Sequence, residues 1–204
     1  MLHLMLVRHG ETEWNVQRRY QGQSDVPLSK LGQRQAKHIA KRLVDQKIDA
    51  IYASDLQRAW QTAQAIAKKN NLAVFSEPRL RELKFGVLEG LTFEEAENQY
   101  PEMIVSWLQD FNNTPDGGEK IDEFNTRVVS LLDDLRKKHD EQSVLLVGHG
   151  GSLSEILRVV LGLSREKRWY LEMENASLSE LLIAEDYVAF NRLNDTCHLA
   201  MLDS

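Results

Sequence analysis

Two stretches of this chain place a histidine in nearly the same setting: LMLVRHGE, Leu4 to Glu11, and LLVGHGGS, Leu145 to Ser152. Each histidine closes a short apolar run and is followed by a glycine, which lets a ligand come close to the backbone. In open parallel sheets, ligands bind beyond the C-terminal ends of the strands. If the two strands are neighbours, His9 and His149 face one crevice. One such histidine is more often a capped core residue; two in matched contexts favour a shared site. Arginines surround the pair: Arg8 directly before His9, Arg18 and Arg19 in the loop after it, and Arg58 where a later helix opens. A guanidinium stays charged and offers a planar fork that suits phosphate. Helix arginines are ordinarily solvated, but Arg8 interrupts a buried strand, where an unpaired charge is costly and an anion or carboxylate has to be near. Imidazole, with a reference pKa of about 6.5, is partly neutral at neutral pH and can divide one displacement into two steps through a covalent intermediate. With no cysteine cluster and no metal-ligand spacing, this set of residues points to phosphoryl transfer. Fixed positive charge and positioning carry most of the catalysis in that chemistry.

Hydrophobic periodicity predicts the elements that must hold these residues. Leu2 to Val7 reads as a strand covered on both faces, with further strands at Asp49 to Ala53, Ala73 to Phe75 and Val144 to Val147. Helical spacing runs from Ser29 to about Gln46. Ser54 with Gln57 makes a capping-box signature for a helix through about Lys69 that buries Ala59, Ala63 and Ile66. Residues 77–92 read as loop, and two short helices follow at 93–99 and 101–110. FNNTPDGGEK, residues 111–120, is the strongest loop signal. An apolar stripe from Ile121 to Leu135 then ends in Lys137, Lys138 and His139, charges that suit a helix C-terminus. Leu153 to Leu161 is the next helix, and Ser177 to Ala184 with Val188 to Leu193 form a hairpin. This order predicts an α/β fold: a three-layer αβα sandwich around a mostly parallel sheet with one antiparallel strand. The expected organisation is a single domain over residues 1–204, with 92–120 as a helical lid or loop insertion.

The totals narrow the partners. The chain has 204 residues, 42% hydrophobic and 27% charged, ordinary for a soluble globular protein. A net charge of −6 argues against nucleic acid or an anionic membrane as partner. The single cysteine, Cys197, rules out an internal disulfide and makes a reducing, cytoplasmic setting the expected one. No secretory signal is visible at the N-terminus, and no apolar run reaches the roughly 20 residues that span a bilayer. Cys197 is expected to pack as a small hydrophobe. His3, His38 and His139 fit a strand, a helix and a helix end, and His198 in LNDTCHL reads as structural. GHGGS lacks the lysine and spacing of a P-loop. Trp14, Trp60, Trp107 and Trp169 share no spacing; Trp107 suits a substrate mouth or core packing equally.

LVRHGETEWN, Leu6 to Asn15, resembles the signature of the histidine phosphatase superfamily, the phosphoglycerate mutase-like proteins. The likeness continues in the family's order through RYQGQSDVPLSKLGQRQA (19–36), YASDLQRAWQTA (52–63), LRELKFGVLEG (80–90) and VGHGG (147–151). It implies that His9 is the nucleophile, passing through a phosphohistidine. It further implies that Arg8, Arg58 and His149 hold the phosphate and that Glu82 is the proton donor to the leaving oxygen. Asn15, Gln21, Gly22 and Gly150 join the phosphate-binding set. A protonated His149 and the arginines would serve without a metal or other cofactor. Leu83, Phe85 and Leu88 around Glu82 suggest that its carboxyl is partly buried.

Three functions fit the resemblance. The first is hydrolysis of a small phosphomonoester. The second is a cofactor-dependent phosphoglycerate mutase; such mutases carry extra segments where only 66 residues separate Glu82 from His149 here. A compact lid leaves the pocket open to water and favours hydrolysis. The third is a non-catalytic phosphate-binding member, which would need neither nucleophile nor acid. WLQDFNNTPDGGEKIDEFNTRV and RLNDTCHL also resemble the α-ribazole phosphatase group of cobalamin synthesis, making α-ribazole 5′-phosphate one candidate substrate. The oligomeric state is left open, a homodimer included.

Overall fold

The computed structural model describes residues 1–164, 167, 171–200 and 202; Trp169 lies outside them. The chain runs β1 (Leu2–Arg8), α1 (Glu13–Val16), α2 (Lys30–Arg42), β2 (Ala50–Ala53), α3 (Gln57–Asn70) and β3 (Val74–Ser76). It continues with α4 (Phe93–Gln99), α5 (Pro101–Gln109), α6 (Ile121–Lys138), β4 (Ser143–Gly148), α7 (Gly150–Val160), β5 (Leu178–Ile183) and β6 (Val188–Asp195). Six strands form one sheet in the order β3-β2-β4-β1-β5-β6. β1 pairs in parallel with β4, and β4 with β2, whereas β5 runs antiparallel to both of its neighbours. β5 is therefore the one reversed strand.

Alternation along the strands builds three layers. Leu4, Leu6, Val144 and Leu146 point to one face and pack with Phe124, Val128 and Leu131 of α6 and Leu153 and Ile156 of α7. Met5, Val7, Leu145 and Val147 point to the other and meet Ile39 and Leu43 at α2 and Ala59, Ala63 and Ile66 of α3. β2 and β4 are buried throughout, and β1 from Leu4 to Val7, because both faces of the sheet are covered there. Residues 92–120 gather around a third apolar cluster of Leu88, Ala96, Ile104 and Trp107. Trp107 is buried there, edge-on to Tyr20, Phe85 and Phe111.

Three expectations need correction. Ser54 and Gln57 do not cap α3: its N-cap is Leu56, with no side-chain cap bond. Asp25 takes over, its Oδ1 accepting the Gln57 N–H at 2.7 Å from a distant loop. α7 opens at Gly150 rather than Leu153, because His149 is already its N-cap residue and Ser152 Oγ accepts the His149 N–H. Cys197 is exposed rather than packed.

Candidate active site

Because β1 and β4 are adjacent and parallel, with Arg8 opposite Gly148, their ends deliver His9 and His149 to one place. The rings stand 5.1 Å apart between centroids, inclined at 60°. Both are buried, at 3% and 1% exposure. The His9 backbone is tied on two sides: its N–H donates to Gly148 O, and its carbonyl accepts from Ala176 N and Asn175 Nδ2, each at about 3 Å. His9 Nδ1 lies 2.7 Å from Gly10 O. A carbonyl only accepts, so Nδ1 carries the proton and Nε2 keeps its lone pair. Burial, then the Arg58 and Arg8 charges, holds the His9 pKa well below that of a free histidine. The ring is a neutral base whose Nε2 makes no hydrogen bond to a described residue.

Arg58, on the first turn of α3, is fully buried. Its Nη1 and Nη2 donate to the carbonyls of Ser24 and Gly22 at 2.8 Å, and its Nε donates to His149 Nδ1 at 3.2 Å. No carboxylate of the described residues touches it. Hydrogen bonds to a charged group return about 1.5–3 kcal/mol each, while removing an ion from water costs several. Three neutral acceptors thus offset much of that cost without cancelling the charge, which Glu82, Asp25 and Glu89 attract from a distance. Burial pulls its pKa down to about 10, so it remains protonated at neutral pH. Arg8 donates through Nη1 to Met173 O, while its Nε is buried with no partner. The carboxylate demanded near it is supplied at a distance by Glu82, Glu174 and Glu172. Two buried guanidinium groups thus stand beside the His9 ring, with carboxylates acting on them only from a distance.

The expectation of a protonated His149 is overturned. Arg58 Nε can only donate, so His149 Nδ1 accepts and its Nε2 donates to Ser54 Oγ at 2.9 Å. Burial and the neighbouring Arg58 charge keep its pKa well below the ordinary value. The positive charge here belongs to the guanidinium groups.

Glu82 reaches the same space from the loop before α4. It is partly buried, its Oε2 accepts the Gly151 N–H and its Oε1 its neighbour Leu83's, both at 2.9 Å. A methyl on Gly150 would sit 3.8 Å from Arg8 Nε and 3.9 Å from Glu82 Oε2, so these three groups adjoin one another. On Gly151 it would stand 2.2 Å from Glu82 Oε1, so a side chain there would push that carboxylate from its place. Arg127 of α6 holds the backbone of this loop, donating to the carbonyls of Arg79, Arg81 and Glu82 while paired with Glu119.

Asn15 lies at the rim, in a capping box with Thr12. Its Oδ1 accepts the Thr12 N–H at 3.0 Å, leaving the amide Nδ2 as its donor. Gln21 reaches Thr12 through its Oε1, and Gly22 gives its carbonyl to Arg58; both build the wall from behind. Gly22 has φ of +51° and packs where a Cβ would strike Glu89. Arg18 and Arg19 are not brought in: Arg18 is exposed and Arg19 pairs with Glu95. Sequence reading missed Ser54, Thr62, Arg127 and Asn175. Thr62 Oγ1 accepts the Gly10 N–H and donates to Arg58 O, joining both halves of the site. Among the described residues, no three His, Cys, Asp or Glu side chains converge as a metal site, and no helix is long and apolar enough to cross a membrane.

This geometry agrees with a family model, that of the histidine phosphatase superfamily, branch 1, which matches residues 4–196. The chain belongs to that superfamily. It is 38% identical over 200 residues to phosphoserine phosphatase 1 of Hydrogenobacter thermophilus, covering 98% of this chain and 95% of that one. It is 41% identical over 185 residues to the probable phosphoglycerate mutase GpmB of Proteus mirabilis, covering 89% and 85%. Among solved structures, the α-ribazole phosphatase of Shigella flexneri superposes with a TM-score of 0.89 at 29% identity, covering 95% of this chain and 96% of that one. The fold is thus that of the phosphoglycerate mutase-like proteins.

Proposed function

We propose that this chain hydrolyses small phosphomonoesters through a phosphohistidine on His9. The observation that carries the reading is the neutral His9 ring, with Nδ1 committed to Gly10, beside a buried Arg58 that pairs directly with no carboxylate of the described residues. In the first step the Nε2 lone pair forms a bond to phosphorus. The P–O ester bond breaks, and the departing oxygen takes its proton from Glu82. In the second, Glu82 recovers a proton from water, whose oxygen attacks phosphorus and releases phosphate and neutral His9. Arg8, Arg58, Asn15 and the Gly150 N–H hold the equatorial oxygens. His149, with both nitrogens engaged, fixes the Arg58 guanidinium and walls the His9 ring. Residues 92–120, packed through Trp107 against Tyr20 and Phe85, serve as the lid.

Rapid quenching with ³²P-labelled substrate tests this. The labelled protein should survive alkali and lose its label in acid, and His9→Ala should form none and lose at least roughly 10⁴-fold in turnover. An acid-stable adduct, or activity of His9→Ala within tenfold of wild type, would sink the assignment.

The likeness to both a phosphoserine phosphatase and an α-ribazole phosphatase makes phosphoserine and α-ribazole 5′-phosphate the first substrates to compare. The mutase reading draws on the GpmB similarity, which also weakens the argument from chain length. A panel of these esters with 3-phosphoglycerate, run in EDTA, separates the readings: phosphate release marks a hydrolase, an isomeric phosphoglycerate a mutase.

A further inference from the structure

The segment RLNDTCHL takes no direct part in the pocket, yet it grips the turn behind His9. That turn, Glu174 to Ser177, closes with Ser177 N–H donating to Glu174 O. Its Ala176 is fully buried with φ of +56°, left-handed backbone that a residue with a Cβ adopts only when its surroundings hold it there. Both polar backbone atoms of Ala176 are engaged. The N–H donates to His9 O at 3.1 Å, and the carbonyl lies 3.0 Å from His198 Nε2. Arg42 Nη1 approaches His198 Nδ1 at 2.9 Å and can only donate, so Nε2 bears the proton and donates to Ala176. Arg42 is in turn held by Asp195. At the other end of the turn, Asn194 Oδ1 accepts the Glu174 N–H at 2.7 Å.

What the turn holds belongs to the site. Asn175 Nδ2 donates to His9 O at 3.1 Å and reaches Asn15 Oδ1 at 3.4 Å. The second contact adds to the Thr12 N–H and hydroxyl that already hold Asn15 Oδ1, so all three leave the amide Nδ2 as the donor of that side chain. We propose that His198, backed by Arg42, is a positioning residue: it fixes the Glu174–Ser177 turn, which sets the His9 backbone and the Asn15 amide for an anion. The importance of those two groups rests on the proposed function; the physical link from His198 to them does not.

The test measures orthovanadate affinity by calorimetry and kcat/KM side by side on the full chain. His198→Leu removes the donor, and both quantities should fall about tenfold, as expected for a small misplacement of a binding group. His198→Gln, whose amide can still reach the Ala176 carbonyl, should stay within about threefold of wild type. A merely space-filling role for His198 would not follow that donor pattern. The proposal is overturned if His198→Leu matches wild type in both quantities, or if His198→Gln is as impaired as His198→Leu. Should His198→Leu fail to fold, Asn175→Ala interrupts the same link nearer the site and should show the same weakening; wild-type vanadate affinity there overturns the proposal. A wild-type protein that binds vanadate but hydrolyses no ester defeats the proposed function instead, and the vanadate titrations still judge the turn.

Discussion

Two arginine–histidine pairs in this molecule look alike and are wired differently. In one, Arg58 donates to His149 Nδ1; in the other, Arg42 donates to His198 Nδ1. The distinction lies in the carboxylate and in burial, since Arg58 is fully buried and Arg42 is not. Asp195 binds Arg42 directly, so the second pair is electrically closed. Around Arg58 the hydrogen-bond partners are two carbonyls and a neutral ring, while Glu82, the strongest attraction among nearby carboxylates, spends its oxygens on backbone N–H groups. A buried guanidinium whose hydrogen-bond partners are all neutral keeps its charge available to an anion. Under the proposed function, the Arg42 pair builds structure and the Arg58 pair serves the substrate phosphate.

Removing Glu82 is the largest way to probe the open pair. General-acid help is worth about 10²–10⁴-fold. Glu82→Gln should therefore lose that much on an alkyl phosphate and far less on p-nitrophenyl phosphate, whose leaving group needs little protonation. Equal losses on both would make Glu82 a counterion to Arg58 and erase the contrast. Next, Arg58→Met should lower kcat/KM by about 10²–10³-fold, the usual cost of deleting one preorganised donor. A loss no larger than that of Arg42→Met would show that the missing carboxylate means nothing.

Charge state gives a third test. His9 and His149 are buried neutral with lowered pKa values, and His198 is pushed down to about 4. Below about pH 6.5 the unfolded chain takes up protons that the folded one refuses, so stability should fall as pH drops, by up to about 1.4 kcal/mol per pH unit per histidine. Urea unfolding from pH 7.5 to 5 reads this slope. For the same reason the acid limb of kcat/KM should lie below the free-histidine value; an inflection at about 6.5 would contradict a buried, neutral nucleophile. The smallest effect belongs to the closed pair. Asp195→Asn removes a partly exposed ion pair, worth less than about 1 kcal/mol in thermal unfolding, and leaves turnover within a few-fold of wild type.

Much of the fold was legible because its signals are local. Strand alternation, the stripe on α6 and the breakers in 111–120 each report on a few neighbouring residues, and the observed elements follow them to within a few positions. The matched His-Gly motifs marked the strand ends for the same reason. Ser54 shows where such reading stops: its sequence context is that of a helix cap, but its hydroxyl is taken by His149, 95 positions away, and Asp25 does the capping. Arg19 followed the same logic, captured by Glu95.

Residue order was enough to say which side chains stand at strand ends, which faces are apolar and where the chain turns, since burial patterns repeat with the period of the backbone. Folding in three dimensions decided that β4 lies beside β1, that Arg58 meets no carboxylate, that His149 is neutral and that His198 braces the turn behind His9. Those outcomes depend on which distant groups share a low-dielectric interior, and no local period encodes that.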